Sequence, residues 1–398
     1  MHRWLFPLAL LLPAPLAAAM APGLPAPLPD RSTLAPDAEA QWVPFDLTPG
    51  NQIRFRMTID GRAANALLDT GFNQTVISRR WASAARLHIA PGGTATAIGG
   101  SVAMGAVDGR TLTIGGLTRT GGRLGVLDLP GSATGGSDTI DAVIGGDLLR
   151  HYALDIDFAQ RRFRLLPSGR LPFAGQNAPL SIAPRTGLYI SEMRIDGARL
   201  GSVIVDTGDG ATLAVSAEAW GMVGARRIPT TTTVSYSVAG PVQSDFTVLP
   251  EITLGDATLR QAETTIEAGN GFLARMGASG RIGAGFLQRF RVLLDPQAGR
   301  MVMAATADTD RAPLRSTSGL LLGTEADRLR VLHVMRGSPA AAGGWRPGEE
   351  ICGIDGTNVS AGYRSDPIAM WPAGTPGRVV RLRLCGGVTR ALTLARFY

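Results

Sequence analysis

The sequence contains the stretch Leu67-Leu68-Asp69-Thr70-Gly71 and repeats it as Ile204-Val205-Asp206-Thr207-Gly208. In each copy an apolar pair leads into the aspartate. An apolar run ending in serine follows, Thr75-Val76-Ile77-Ser78 in the first and Leu213-Ala214-Val215-Ser216 in the second. An aspartate placed after an apolar strand and before Thr-Gly sits in a tight turn, and Gly71 and Gly208 let a neighbouring chain come close. Two carboxyls brought face to face cannot both ionise cheaply. They hold one proton between them, and their apparent pKa values split. The ionised member can then draw a proton from a bound water while the other donates to a carbonyl oxygen. That is general acid–base hydrolysis of an amide without a covalent intermediate. One Asp-Thr-Gly alone is a weak signal, because surface turns are rich in Asp and Gly. Two copies in the same apolar setting point to Asp69 and Asp206 as partners.

The elements that must position these turns recur in the same order. Residues 52–59 alternate Ile53, Phe55, Met57 and Ile59 with polar partners, as a half-buried strand does. Asp60-Gly61 is a hairpin turn signal, and Asp196-Gly197 repeats it after the alternating stretch 188–195. Residues 94–104, with Gly99-Gly100 at the tip, read as one hairpin, and 231–249, turning at Ala239-Gly240, read as another. The segment Ile144-Gly145-Gly146 reappears as Ile282-Gly283-Ala284, and hairpins at 153–166 and 290–304 close the two halves. Gly145 follows Asp69 by 76 residues and Gly283 follows Asp206 by 77; Asp157 and Asp295 follow them by 88 and 89. Matched offsets at successive landmarks indicate an internal duplication.

The chain of 398 residues has room for two or three domains, and its 51 glycines favour short strands and turns over long helices. Its net charge is +7, and every one of the 39 basic residues is arginine. These arginines are scattered, with no basic run carrying interleaved aromatics, so a solvated surface is a better reading than nucleic-acid or acidic-lipid binding. At the N-terminus His2-Arg3, an apolar stretch from Trp4 to Leu16, and the small residues Ala17-Ala18-Ala19-Met20-Ala21 form a secretory signal pattern over 1–21. An uncleaved anchor is the lesser alternative. No later stretch is apolar enough to span a bilayer. The expectation is export across the inner membrane to the periplasm or beyond, with a Pro/Ala-rich linker at 22–41. Cys352 and Cys385 are the only cysteines; an exported chain could bridge them, and two buried thiols are an equal alternative. The four histidines make no metal-ligand spacing with them, and no metal or cofactor is expected.

On these motifs, residues 42–306 resemble two bacterial retropepsin-type aspartic protease modules in one chain, at 42–170 and 171–306. The resemblance implies an all-β fold of two β-barrel modules forming a pseudo-dimer on a six-stranded interdigitated base, with no second chain required. It implies Asp69 and Asp206 as the catalytic dyad, Thr70 and Thr207 as cross-bracing, and Gly71 and Gly208 near the substrate backbone. Gly99, Gly100 and Tyr236 would belong to flaps closing over a peptide or protein substrate. Three positions depart from the family pattern: Phe72 and Asp209 where a small residue usually follows Asp-Thr-Gly, and Arg281 for an apolar residue. The remaining unit, 312–398, is β with short helices. Its Gly337-Ser338-Pro339-Ala340-Ala341 run and its Pro347-Gly348-Glu349-Glu350-Ile351 segment, ending at Asp355-Gly356, resemble a PDZ domain. There Ser318, Gly319, Leu320, Leu321 and Leu322 would form the loop and strand that take a C-terminal peptide ligand. The activity so implied is that of an aspartic endopeptidase; the alternative is a catalytically silent peptide-binding scaffold on the same frame.

Overall fold

The computed structural model describes residues 29–136, 138–224 and 228–398, and the signal segment at 1–21 lies outside them. The fold is all-β. Alternation does the local work: in Ile53–Ile59, Ile53, Phe55, Met57 and Ile59 are buried and the residues between them are not. Asp60 and Gly61 have φ of 51° and 75°, and Asp196 and Gly197 have 48° and 77°. Two successive positive φ values make the turn that matches the right-handed twist of the strands on either side.

Each half builds the same inner arrangement around its aspartate. Arg62–Leu68 runs parallel to Ala142–Ile144, which runs antiparallel to Val76–Ser78. In the second half Ala198–Val205, Gly280–Ile282 and Leu213–Ser216 repeat the pattern. The backbone N–H of Asp69 donates to Ile144 O and that of Asp206 to Ile282 O, so each turn hangs from the end of a buried strand. Above these turns stand two long hairpins, Ala90–Ala97 with Gly100–Ile114 and Thr231–Ser237 with Gly240–Leu254.

The halves join through six adjacent strands. In order these are Gln176–Pro179, Arg300–Ala305, Phe290–Asp295, Ala153–Asp157, Arg162–Leu166 and Val43–Leu47, three from each half. At the centre Ala153–Asp157 and Phe290–Asp295 run antiparallel with Asp155 opposite Leu293. Asp155 is fully buried there. Its carboxylate accepts from Arg164 Nε at 2.9 Å, on its own hairpin, and from Arg291 Nε and Nη2 at 3.1 and 2.9 Å, from the other half. The equivalent cross-strand pair in the second hairpin is Leu293 with Val302, both apolar and buried.

The C-terminal unit has its own six-stranded sheet, running Leu320–Thr324, Leu329–Val334, Glu350–Ile354, Val379–Leu384 and Thr389–Thr393, with Thr357–Asn358 beside Glu350–Ile354. Its separate core includes Trp345, Ile351, Trp371, Val380 and Leu382. Cys352 and Cys385 are joined as a disulfide, which resolves the alternative the sequence left open.

The structure departs from the sequence reading in three places. The six-stranded base is not interdigitated: three strands of one half lie beside three of the other, because each half's closing hairpin pairs within itself before the two meet at Ala153–Asp157 and Phe290–Asp295. The linker at 22–41 is not loose throughout: Arg31–Leu34 forms a strand against Leu117–Thr120, and Asp30 pairs with the buried Arg119. Its polar composition hid a strand that backbone pairing holds in place. The strand Ala257–Glu267 was also missed; its threonines and glutamates look like a loop, yet it pairs along most of Gly240–Leu254. No helix among the described residues is long and apolar enough to cross a membrane.

Candidate active site

The two Asp-Thr-Gly turns meet at the bottom of a cleft. Thr70 N–H donates to Thr207 Oγ1 at 3.0 Å, and Thr207 N–H to Thr70 Oγ1 at 3.1 Å. Each hydroxyl in turn donates across the junction, Thr70 to Val205 O at 2.7 Å and Thr207 to Leu68 O at 2.8 Å. Both threonines are fully buried, so four satisfied hydrogen bonds lock the two strands together where water cannot compete. This lattice sets the Asp69 carboxyl against Gly208 and the Asp206 carboxyl against Gly71, so that the two acids face each other and titrate together. The glycines are what admit them. A Cβ on Gly71 would lie 2.1 Å from the Asp206 carboxyl carbon, and one on Gly208 would lie 2.2 Å from that of Asp69.

The two carboxyls are held unequally. Gly208 N–H and Asp209 N–H donate to Asp206 Oδ1 at 2.9 and 3.0 Å. Asp69 receives Gly71 N–H at 2.9 Å. Burial, then the charge and hydrogen bond of Asp206, raise Asp69 well above the usual carboxylate range. Burial, then Asp209, push Asp206 up to about 6, while Arg281, the hydrogen bond from Asp69 and the Gly208 N–H pull it back down. The two carboxyls titrate as a pair, and the Arg281 cation beside Asp206 favours the charged form of that member.

Two of the three departures from the family pattern turn out to be one feature. Arg281 is buried, and its Nε donates to Asp209 Oδ2 at 2.6 Å. The same Nε stands 3.7 Å from Asp206 Oδ2, and Nη1 donates to Glu267 Oε1 at 3.1 Å. Glu267 was not singled out from the sequence. It ends a strand of Thr, Ala and Ile, and a lone acid at a strand end carries no local signal. The third departure, Phe72, has a packing role. It lies against Leu67, Val76, Leu127, Ile140 and Val143, which form an apolar wall on the first half's side of the cleft.

The cleft has a volume of about 330 Å³, and both aspartates line it. Its opposite wall differs. There Phe272, on the short helix Phe272–Met276, packs with Leu188, Ile204 and Leu273 and lies under the Arg281 guanidinium, 5.4 Å from ring to Cζ. Sequence inspection missed that helix as well. Both hairpin tips cover the opening. Gly99, at φ 88°, forms the turn of the first, and Gly100 begins its return strand. A Cβ on Gly99 would strike Val242 of the other hairpin, and Ser237 Oγ donates to Ile98 O. Tyr236 lines the cleft and remains 36% exposed.

The other predicted residues lie elsewhere. Leu320–Thr324 is an edge strand of the C-terminal sheet. The amides of the loop before it are already engaged: Thr317 and Ser318 N–H donate to Pro372 O, Gly319 N–H to Ser316 Oγ, and Leu320 N–H to Ser318 Oγ. In this conformation the loop has no N–H free for a peptide carboxylate at those four positions. The unit docks on the second hairpin instead. Thr231 Oγ1 donates to Arg336 O, Arg336 N–H to Thr232 Oγ1, and Thr232 Oγ1 contacts His333 Nε2 at 2.8 Å. Arg336 also pairs with Asp245 at 2.9 Å. Among the described residues no group of three or more His, Cys, Asp and Glu could hold a metal ion.

Residues 55–148, which span the first aspartate and the first hairpin, match the aspartyl protease family model. The curated proteins contain no match to the chain.

Proposed function

We propose that this chain is an exported aspartic endopeptidase in which Asp69 and Asp206 act as one dyad. One observation carries the reading: the reciprocal Thr70–Thr207 lattice holds the Asp69 and Asp206 carboxyls face to face on the floor of a cleft that both of them line. Asp206, the charged member, draws the proton from a water lying between the carboxyls. Asp69 gives its proton to the scissile carbonyl oxygen as the water oxygen bonds to the carbonyl carbon. Breakdown of the tetrahedral intermediate cleaves the C–N bond: Asp206 passes its proton to the leaving amine, and a hydroxyl of the intermediate returns a proton to Asp69 as the carboxylic acid product forms. No covalent enzyme intermediate forms. The substrate is an extended peptide covered by the two hairpins, with an apolar side chain seated on the wall of Leu67, Val76, Leu127 and Val143. Export is supported by the charged-then-apolar N-terminus and agrees with the Cys352–Cys385 bridge. The PDZ-like unit offers the edge strand Leu320–Thr324 for a peptide to add to, rather than the amides of the preceding loop. One chain supplies both aspartates, so a monomer suffices.

Incubation with a mixed peptide library across pH 4–8, read by mass spectrometry, tests this. Wild type is expected to cleave next to apolar residues. Asp69→Asn and Asp206→Asn are each expected to lose at least about 10³-fold of that activity. Cleavage that survives both substitutions overturns the dyad, and peptide binding by wild type without cleavage points to a scaffold.

A further inference from the structure

We propose that Arg281 is a positioning residue for the dyad: clamped by Asp209 and Glu267, its guanidinium fixes Asp206 as the charged member and leaves the shared proton on Asp69. The inference rests on the endopeptidase reading for its catalytic meaning but not for its electrostatics.

The starting point is an asymmetry. The two turns are near copies in backbone and in threonine bracing, and a symmetric pair would share its proton evenly. This pair is not symmetric. Residue 72 is an apolar phenylalanine, whereas its counterpart, residue 209, is an aspartate bonded to a buried arginine. The first half's counterpart of Arg281 is Val143, in the same strand and apolar. One carboxyl thus has a guanidinium 3.7 Å away, and the other has hydrocarbon.

A buried guanidinium needs partners of opposite charge, because leaving it unpaired costs several kcal/mol. Asp209 accepts from Nε at 2.6 Å and Glu267 from Nη1 at 3.1 Å, so the guanidinium is tethered at two of its nitrogens. These tethers hold Nε 3.7 Å from Asp206 Oδ2, short of a direct hydrogen bond. The arginine stands one step back, close enough to favour the charge and too far to take the oxygen's lone pair. The charged and titratable groups facing Asp206 are Asp69 from the opposite turn, Asp209 on its own turn, Arg281 from Gly280–Ile282 and, through Arg281, Glu267 at the end of Ala257–Glu267. Tyr236 of the covering hairpin lines the same cleft. Among the described residues Arg281 is the cation of that set.

Opposite shifts from two neighbouring substitutions test the assignment. Arg281→Gln removes the cation, and Asp209→Asn removes an anion while leaving an oxygen that can accept from Arg281. Asp206 is followed directly in carboxyl-13C-labelled protein by NMR titration, and the acid limb of kcat/KM is followed with a cleaved peptide. Arg281→Gln is expected to move both readings up by about one pH unit and Asp209→Asn to move both down by a similar amount. Arg281→Lys, which keeps the charge, is expected to stay near wild type. A merely structural role would lower stability in every variant without shifts of opposite sign. If Asp206 titrates at the same pH in wild type, Asp209→Asn and Arg281→Lys, with Arg281→Gln unchanged or unfolded, the inference is overturned. If no variant and no wild type cleaves peptide while the titrations shift as stated, the endopeptidase reading falls and the assignment stands.

Discussion

Gly71 and Asp206 occupy positions that exclude any side chain between them: a Cβ on residue 71 would stand 2.1 Å from the carboxyl carbon of Asp206. The reciprocal contact, Gly208 against Asp69, is 2.2 Å. Each glycine is therefore a clearance for the opposite half's acid. Gly71→Ala and Gly208→Ala are expected to force the carboxyls apart and lower kcat/KM by about 10²-fold or more, since catalysis is sensitive to displacements near 1 Å. Steady-state kinetics on a cleaved peptide checks this, with circular dichroism to show that the fold persists.

The pH dependence follows from which carboxyl is the base. Asp206 must be ionised to draw a proton from water, and its pKa is pushed up to about 6. Activity is expected to fall as pH drops through about 6 and Asp206 becomes protonated. Asp69 must keep its proton, and its pKa is raised well above the ordinary range. Its deprotonation sets the alkaline limb. The working range should lie nearer neutrality than an ordinary aspartate carboxyl would set. An optimum at or below pH 4 in a kcat/KM profile would contradict this order.

The base of the molecule depends on one buried charge. Asp155 satisfies two arginines, Arg164 and Arg291, from opposite halves. Asp155→Ala leaves both guanidinium groups without that partner and is expected to destabilise the protein by about 3–5 kcal/mol. Urea unfolding followed by tryptophan fluorescence measures it, with Trp42 lying against Arg162 and Arg164 at 4.1 and 4.2 Å.

The second wall of the cleft is set by Phe272. Phe272→Ala is expected to open an apolar recess opposite the one beside Phe72, at a cost of about 3 kcal/mol in stability. The measurement is the residue preference on both sides of the scissile bond in a peptide library. An unchanged preference on the Phe272 side would show that this wall does not contact substrate.

How far the site was legible in the sequence depends on the distance over which each signal acts. Asp69 and Asp206 could be read because each lies in a local motif and the motif recurs at matched offsets. The hairpin tips could be read from Gly99-Gly100 and Ala239-Gly240. Asp209 and Arg281 were visible only as two separate oddities, because they stand 72 positions apart and pairing between side chains leaves no periodic trace. Glu267 and Phe272 carried no signal, being ordinary residues given a role by strand register and a five-residue helix. The strand Arg31–Leu34 was hidden for a similar reason, since its order comes from Leu117–Thr120 rather than from its own composition. The closed loop at Thr317–Leu320 belongs to the same group: its motif suggests open amides, but Pro372 O takes those of Thr317 and Ser318, and the hydroxyls of Ser316 and Ser318 take those of Gly319 and Leu320.

Asp155 and Leu293 face each other at the point about which the two halves are related. At such a point a position meets its own counterpart. In a pair built from two copies of the first half, carboxylate would meet carboxylate in a dry interior. In a pair built from two copies of the second, Arg291 would have no Asp155 to bind. Each half has become the other's obligate mate. Two identical subunits made from either half alone would therefore lack the charge pairing that the mixed pair has at this point.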